Sequence, residues 1–160
     1  MYIPTTQLAQ GNVSCGARVH RTTNQTLTTG TDTEISFNAE RFDTDAFHDN
    51  ATNSTRCTVP VGKAGVYVIT GAARFAANAT GRRRIYLRLN GTDIMVIEGE
   101  LNHTATYAPD LTTSTICDLE AGDYVELIAT QDSGGNLDVV TVTSGAIVIS
   151  PVLSLHRVGS

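Results

Sequence analysis

The chain has 160 residues, which fits one domain with a sizeable buried core and needs no disulfide staples. Hydrophobic residues make up 41% and charged residues 17%, a balance that excludes a disordered or fibrous chain. A formal net charge of −5 argues against a general nucleic-acid binder, because neutralising phosphate requires a basic surface.

Threonine occurs 24 times and Trp is absent, with Val and Ile common and no long Leu/Ala/Glu/Lys blocks. β-branched side chains lose rotamer freedom in helices and suit a pleated surface, so the composition points to an all-β protein. No apolar run of about 18 residues is present, which excludes a spanning helix. The start, MYIPTTQLAQGNVSCG, has neither a basic segment nor an apolar segment of the signal-peptide kind. A chain made and folded in a cytosol is therefore expected.

In chain order, residues 1–16 carry little periodicity and read as an extended arm, followed by one domain over 17–160. ARVHRT (17–22) predicts a first strand and DTEISF (32–37) a second, with a long polar loop over 43–54. TRCTVP (55–60) is a strand stopped by Pro60. AGVYVITGAARFAA (64–77) is a long strand with Tyr67, Ile69, Gly71, Ala73 and Phe75 on one face, and it is apolar over much of its length. GRRRIYLRLN (81–90) predicts Ile85, Leu87 and Leu89 inward and Arg84, Tyr86 and Arg88 outward. Asn90-Gly91 is a two-residue hairpin signal, and TDIMVIEGE (92–100) returns from it. Residues 107–132 hold two strands around Glu120-Ala-Gly-Asp123, and 144–158 form the last strand. Short strands at this spacing, with no helical period, predict an antiparallel two-sheet sandwich.

Four stretches, in order, carry a family resemblance. They are HDNATNSTRCTVPVGKAGVYVITG, RRRIYLRLNGT, LEAGDYVELIATQDSGG and the final apolar strand. Together they resemble the complement 1q-like globular head of the tumour-necrosis-factor-like jelly-roll superfamily, over about residues 17–158. ERFDTD, HD and TN in the loop region and FAANATGRRR are closer to the phage and bacterial branch than to the animal one. The resemblance implies a jelly roll and a compact homotrimer, with the first, long middle and last strands building an inner sheet around a threefold axis. It also implies a binding or structural module rather than an enzyme.

The candidate chemistry is sparse. Strand alternation divides Arg82, Arg83 and Arg84 between two faces, so they make no flat basic patch. Arg84 and Arg88 share a face with Tyr86 and are expected to be solvated or to pair with carboxylates of another chain, or else to contact an acidic partner surface. Tyr124, whose register the Gly122-Asp123 turn sets, is expected at or near a subunit seam. In the arm, Tyr2, Ile3 and Leu8 are the large apolar side chains after Met1, and are candidate anchors in grooves of a neighbouring subunit. His20, His48, His103 and His156 form no close pair in sequence. His48, Asp49 and Ser54 could be imagined as a triad, but no Gly-x-Ser-x-Gly elbow accompanies them. Asp132, Asn136 and Asp138 offer hard oxygens in a Gly-rich loop, yet without a calcium-loop pattern, and Asn, Asp and Gly also make ordinary turns. Cys57 and Cys117 read as small buried thiols, Cys15 as an exposed one, and the three spacings match neither a zinc site nor a disulfide framework. Asn-x-Ser/Thr sequons such as Asn78-Ala-Thr80 are expected to be unmodified without a secretory signal.

The function expected is therefore a trimeric phage capsid decoration or cement protein with no cofactor, no nucleic acid and no membrane, its partner the major capsid protein. The chain shows no stem of the kind that carries a fibre tip. The rival expectation is a receptor- or glycan-binding head of a tail fibre or surface protein, using loops such as 43–54 and 131–138.

Overall fold

A computed structural model describes residues 15–102, 107–144, 147–149 and 151–159, and Tyr2, Ile3, Leu8 and His103 lie outside the described residues. Every regular element among the described residues is a strand. They run β1 (Gly16–His20), β2 (Gln25–Leu27), β3 (Thr33–Glu34), β4 (Ala39–Asp43), β5 (Arg56–Thr58), β6 (Gly65–Arg74) and β7 (Arg82–Leu89). The second half supplies β8 (Asp93–Asn102), β9 (Asp110–Leu119), β10 (Tyr124–Gln131), β11 (Leu137–Val139), β12 (Val142–Ser144), β13 (Ile147–Ile149) and β14 (Val152–Gly159).

Two antiparallel five-stranded sheets form the sandwich. The first has the order β4-β1-β14-β6-β9; the second is β3-β10-β7-β8, with β5 also pairing β10. Two ribbons, β11-β2 and β12-β13, complete the set. The chain crosses between sheets from β6 to β7 and from β9 to β10, which makes this a jelly roll rather than a meander. Tyr67, Ile69 and Phe75 from the β6 stretch pack between the sheets with Ile85, Leu87, Val125 and Leu127 of the second sheet. The alternation read in 64–77 is the one observed, since every odd position from Gly65 to Ala73 is buried. The β7–β8 hairpin turns at Asn90 (φ 53°) and Gly91 (φ 75°), the two left-handed residues that a primed turn requires.

The structure departs from the sequence reading at several points. Of residues 32–37, only Thr33–Glu34 pair as a strand; Ile35 and Phe37 are fully buried, and the Ile35 N–H donates to the Leu127 carbonyl at 2.9 Å. β4 was not expected, because its Ala-Glu-Arg-Phe-Asp sequence lacks apolar alternation; it is an edge strand whose charges guard an open side. The 43–54 segment is polar but not loose. The Asp43 carboxylate accepts the N–H groups of Asp45, Phe47 and His48 at 3.2, 3.0 and 2.9 Å, which drives Phe47 into the core against Tyr67. The single final strand expected over 144–158 is interrupted at Pro151, which cannot donate to a ladder.

Cys15 corrects a second expectation. It is 1% exposed rather than open to solvent, because Gly16 already pairs with His156 and the Cys15 carbonyl accepts the Arg157 N–H at 2.9 Å.

Candidate functional site

Each sheet has an outward face, and the two differ in chemistry. On the first sheet the pairing register aligns side chains in rows. One row reads Ile116, Val68, His156 and Gly16; the next Ser114, Thr70, Ser154, Arg18 and Phe42; the next Thr112, Ala72, Val152, His20 and Ala39. Ile116, Val158 and Phe42 are 67%, 49% and 46% exposed, unusual values for large apolar groups on a sheet whose other face already forms the core. Asp118 bounds these rows at one end and the Arg74–Asp110 ion pair at the other. Between them the charged or titratable groups in the rows are His20, His156 and Arg18, with Arg41 at the β4 bulge close enough to act on His20. Burial, then Arg18 and Arg41, push His20 below the ordinary histidine range. The face carries the apolar pairs Val68–Ile116 and Ala72–Val152 on either side of a hydroxyl row made by Ser114, Thr70 and Ser154.

Val66, Val68, Ile116 and Val152 were not singled out by their sequence alone. The signal was present in Val66-Tyr-Val-Ile69, where consecutive rather than alternating apolar residues mark a strand covered on both faces.

The second sheet carries the arginines. Arg88 donates from Nε to Glu126 at 2.8 Å and from Nη2 to Glu34 at 2.5 Å. The Arg88 hydrogen bond holds the Glu34 carboxyl below its ordinary value, and the Glu126 bond, against burial, raises the Arg88 guanidinium. Arg88 does meet carboxylates, but those of its own sheet rather than of another chain. Arg84 lies over the Tyr86 ring at 5.8 Å. Tyr86, placed outward from the sequence, does leave the core face, yet it is only 4% exposed. Burial, then the Asp32 carboxylate beside it, push its hydroxyl up to about 12.

Arg83 is the residue whose burial the sequence did not announce. Alternation turns it inward, where it is 0% exposed. Its Nη1 donates to the Thr80 and Arg82 carbonyls at 2.9 Å each, and its Nη2 to that of Asn78 at 3.3 Å, while its Nε has no partner. Burial pushes its pKa down, and its work is to pin the turn that enters β7.

Tyr124 opens β10 on the second sheet. Its N–H donates to Asn90 Oδ1 at 3.0 Å, its carbonyl accepts the Asn90 N–H at 2.9 Å, and Arg56 lies over its ring at 4.3 Å. The structure thus gives Tyr124 an intrachain role, locking the 90–91 turn.

The imagined triad is not assembled. His48 Nδ1 faces Glu40 at 3.2 Å and Nε2 faces the Ser54 carbonyl, not its hydroxyl, at 3.3 Å. Asp49 caps the N–H groups of Ala51 and Thr52. Cys57 is fully buried and burial raises its thiol far from ionisation; Cys117 is half-buried and is also raised by burial. In the Gly-rich loop, Asp138 turns to Thr26 and Asn24, and Asp132 to Arg82. No group of three His, Cys, Asp or Glu converges among the described residues.

No protein-family profile and no curated protein matches the sequence. Solved structures do match. Murine APRIL at pH 8.5 superposes with a TM-score of 0.60 at 8% identity, covering 91% of this chain and 99% of that one. The globular domain of zebrafish complement 1qA gives 0.55 at 15% identity, over 90% and 97%. Eiger TNF from S. frugiperda gives 0.59 at 12% identity, over 92% and 94%. The fold is a tumour-necrosis-factor/complement 1q-type jelly roll. At these identities the likeness speaks for the fold, and the arrangement resembled in the sequence is the one found.

Proposed function

We propose that this chain is a non-enzymatic, homotrimeric structural protein of a phage virion. Its five-stranded β4-β1-β14-β6-β9 sheet builds the threefold seam, and the trimer decorates and cements the capsid by binding the major capsid protein. The observation that carries self-association is the outward face of that sheet, with Ile116, Val68, Val66 and Val152 set among Thr, Ser and Ala. Three copies related by one rotation would cover this face and close the assembly. The capsid role is supported by the sequence features closer to the phage and bacterial branch. It is also supported by the arm over 1–16, where Tyr2, Ile3 and Leu8 are candidate anchors. A compact trimer suits threefold and quasi-threefold positions of a shell. Each anchor buried in a neighbouring groove would contribute roughly 1.5–3 kcal/mol before ordering costs, and three arms would act together through effective concentration.

The test mixes the purified protein with undecorated shells and counts bound copies. The expected result is binding in multiples of three, lost on deletion of residues 1–14, which spares Cys15 and β1, while the trimer mass is kept. Failure of the full-length trimer to bind shells would overturn the capsid role. A truncated trimer that binds as tightly would place the grip away from Tyr2, Ile3 and Leu8.

A further inference from the structure

A cavity of about 310 Å³ opens on the second sheet, whose outward side points away from the face assigned to self-association. It is lined by Gly30, Asp32, Arg82, Arg84, Thr130, Gln131 and Asp132, and every side chain in that lining is polar or charged. Its volume falls at the small end of the ligand-site range, about 300–1,000 Å³.

Several of its walls are fixed from behind. Asp132 accepts the Arg82 N–H at one oxygen and Arg82 Nε at the other, 3.3 Å away; the backbone bond first, and the guanidinium with it, keeps its carboxyl below the ordinary range. Gly81 (φ 71°) permits this approach, since a Cβ there would collide with the Asp132 carbonyl and carboxylate. Gln131 is buried and bonded to the Leu27 and Gly135 carbonyls at 3.2 and 2.8 Å. Arg84 is different. It lies against Tyr86, and among the described residues no carboxylate stands within ion-pairing distance of it. Asp32, on the same lining, is exposed.

We propose that this cavity binds a carboxylated saccharide. A planar guanidinium without a carboxylate of its own is a bidentate receptor for one. Asp32 accepts hydrogen bonds and repels a second negative charge, so a ligand must bring hydroxyl donors together with a single anionic group. A lining without apolar side chains disfavours lipid ligands, and Asp32 with Asp132 disfavours a polyphosphate strand. A monosaccharide-sized acid with free hydroxyls meets these conditions. The inference does not depend on whether the trimer sits on a capsid or on a fibre.

The experiment uses ligand-observed NMR and calorimetry on the full chain at pH 7, with methyl glucuronide, methyl glucoside and inorganic phosphate as probes. The expected order is glucuronide well above glucoside and phosphate. Arg84→Met, which keeps the stem over Tyr86, should weaken the glucuronide by about tenfold or more, the scale of one charge-assisted bidentate contact. Asp32→Ala should act in opposite directions, weakening glucuronide and strengthening phosphate, because it removes a hydroxyl acceptor and a repelling charge together. Because Asp32 is exposed, this second variant keeps the test valid should Arg84→Met fold poorly. Phosphate bound as well as glucuronide, both anions strengthened by Asp32→Ala, or no binding at millimolar glucuronide would each overturn the assignment.

Discussion

The two outward faces of the sandwich are built from the same strand geometry and solve opposite problems. On the second sheet, Arg88 is flanked by Glu126 and Glu34, Arg56 lies over Tyr124, and Arg82 meets Asp132. Charge is balanced locally at these positions, with Arg84 left to the cavity beside them. On the first sheet, Ile116 stands exposed beside Val68, and the Arg74–Asp110 ion pair lies at the far end of the rows. Charged groups paired on their own sheet need no partner; large apolar side chains left in water cost free energy until one covers them. The difference is the ground for assigning the proposed self-association to one side of the molecule and the proposed ligand cavity to the other.

The largest effect expected comes from charging the apolar face. Ile116→Glu or Val68→Glu should leave the fold and circular dichroism of the chain intact while abolishing the oligomer, since the charged side chain is solvated in the single chain and would be desolvated in the assembly. A charged variant that still migrates as wild type in light scattering would remove this face from the seam.

Breaking the second face should act on stability and not on assembly. Arg88→Met leaves Glu126, whose side chain is 8% exposed, facing Glu34 without a cation. The expected cost is about 3 kcal/mol, the low end for removing one partner of a buried pair, read from the denaturant midpoint with oligomer mass unchanged. The double variant Arg88→Met with Glu126→Gln should recover part of that loss, because the stranded charge has gone.

Acid should weaken the same side. Glu34 is held below its ordinary 4.5 by the Arg88 hydrogen bond, and Asp132 below its ordinary 3.8 by the Arg82 N–H. Both carboxyls have folded values depressed relative to the unfolded chain. Their contribution is therefore complete above about pH 4.5 and is lost as pH falls below it. Thermal melting between pH 6 and pH 3 should show a decline that the Glu34→Gln variant partly flattens. An identical decline in both proteins would mean that the Glu34 contact adds nothing.

The smallest effect concerns Tyr124. Removing its ring takes away the Arg56 contact, worth about 0.5–1 kcal/mol at a partly exposed site, and the approach of its hydroxyl to Gly91, while the main-chain bonds to Asn90 remain. Tyr124→Ala should thus lower the melting temperature modestly and leave the oligomer mass unaltered. A change in mass would instead extend the seam to the β7–β8 hairpin end of the second sheet, the position expected from the sequence.

Legibility in the sequence followed physical cause. The long strands 64–77 and 81–90, the Asn90-Gly91 turn and the all-β class could be read because period-two patterns and left-handed turn residues are local signals. β4 could not, since an edge strand of charged residues is defined by what it pairs with. Nor could the burial of Arg83, which depends on three carbonyls of a turn whose shape appears only after folding. Cys15 was misplaced because its neighbours are polar, while its burial is decided by the distant Arg157 and Tyr67. The arginines of the sugar-sized cavity were named in the sequence, but Asp32 and Asp132 come from loops flanking separate strands, and only the packing of β3, β7 and β10 brings them together.

The central claim is that the β4-β1-β14-β6-β9 sheet is a self-association face, and native mass spectrometry at micromolar concentration tests it most directly. The account predicts a species at three times the 17.0 kDa chain mass, reduced to the single chain by Val68→Glu. A wild-type spectrum showing only the single-chain mass at that concentration would contradict it.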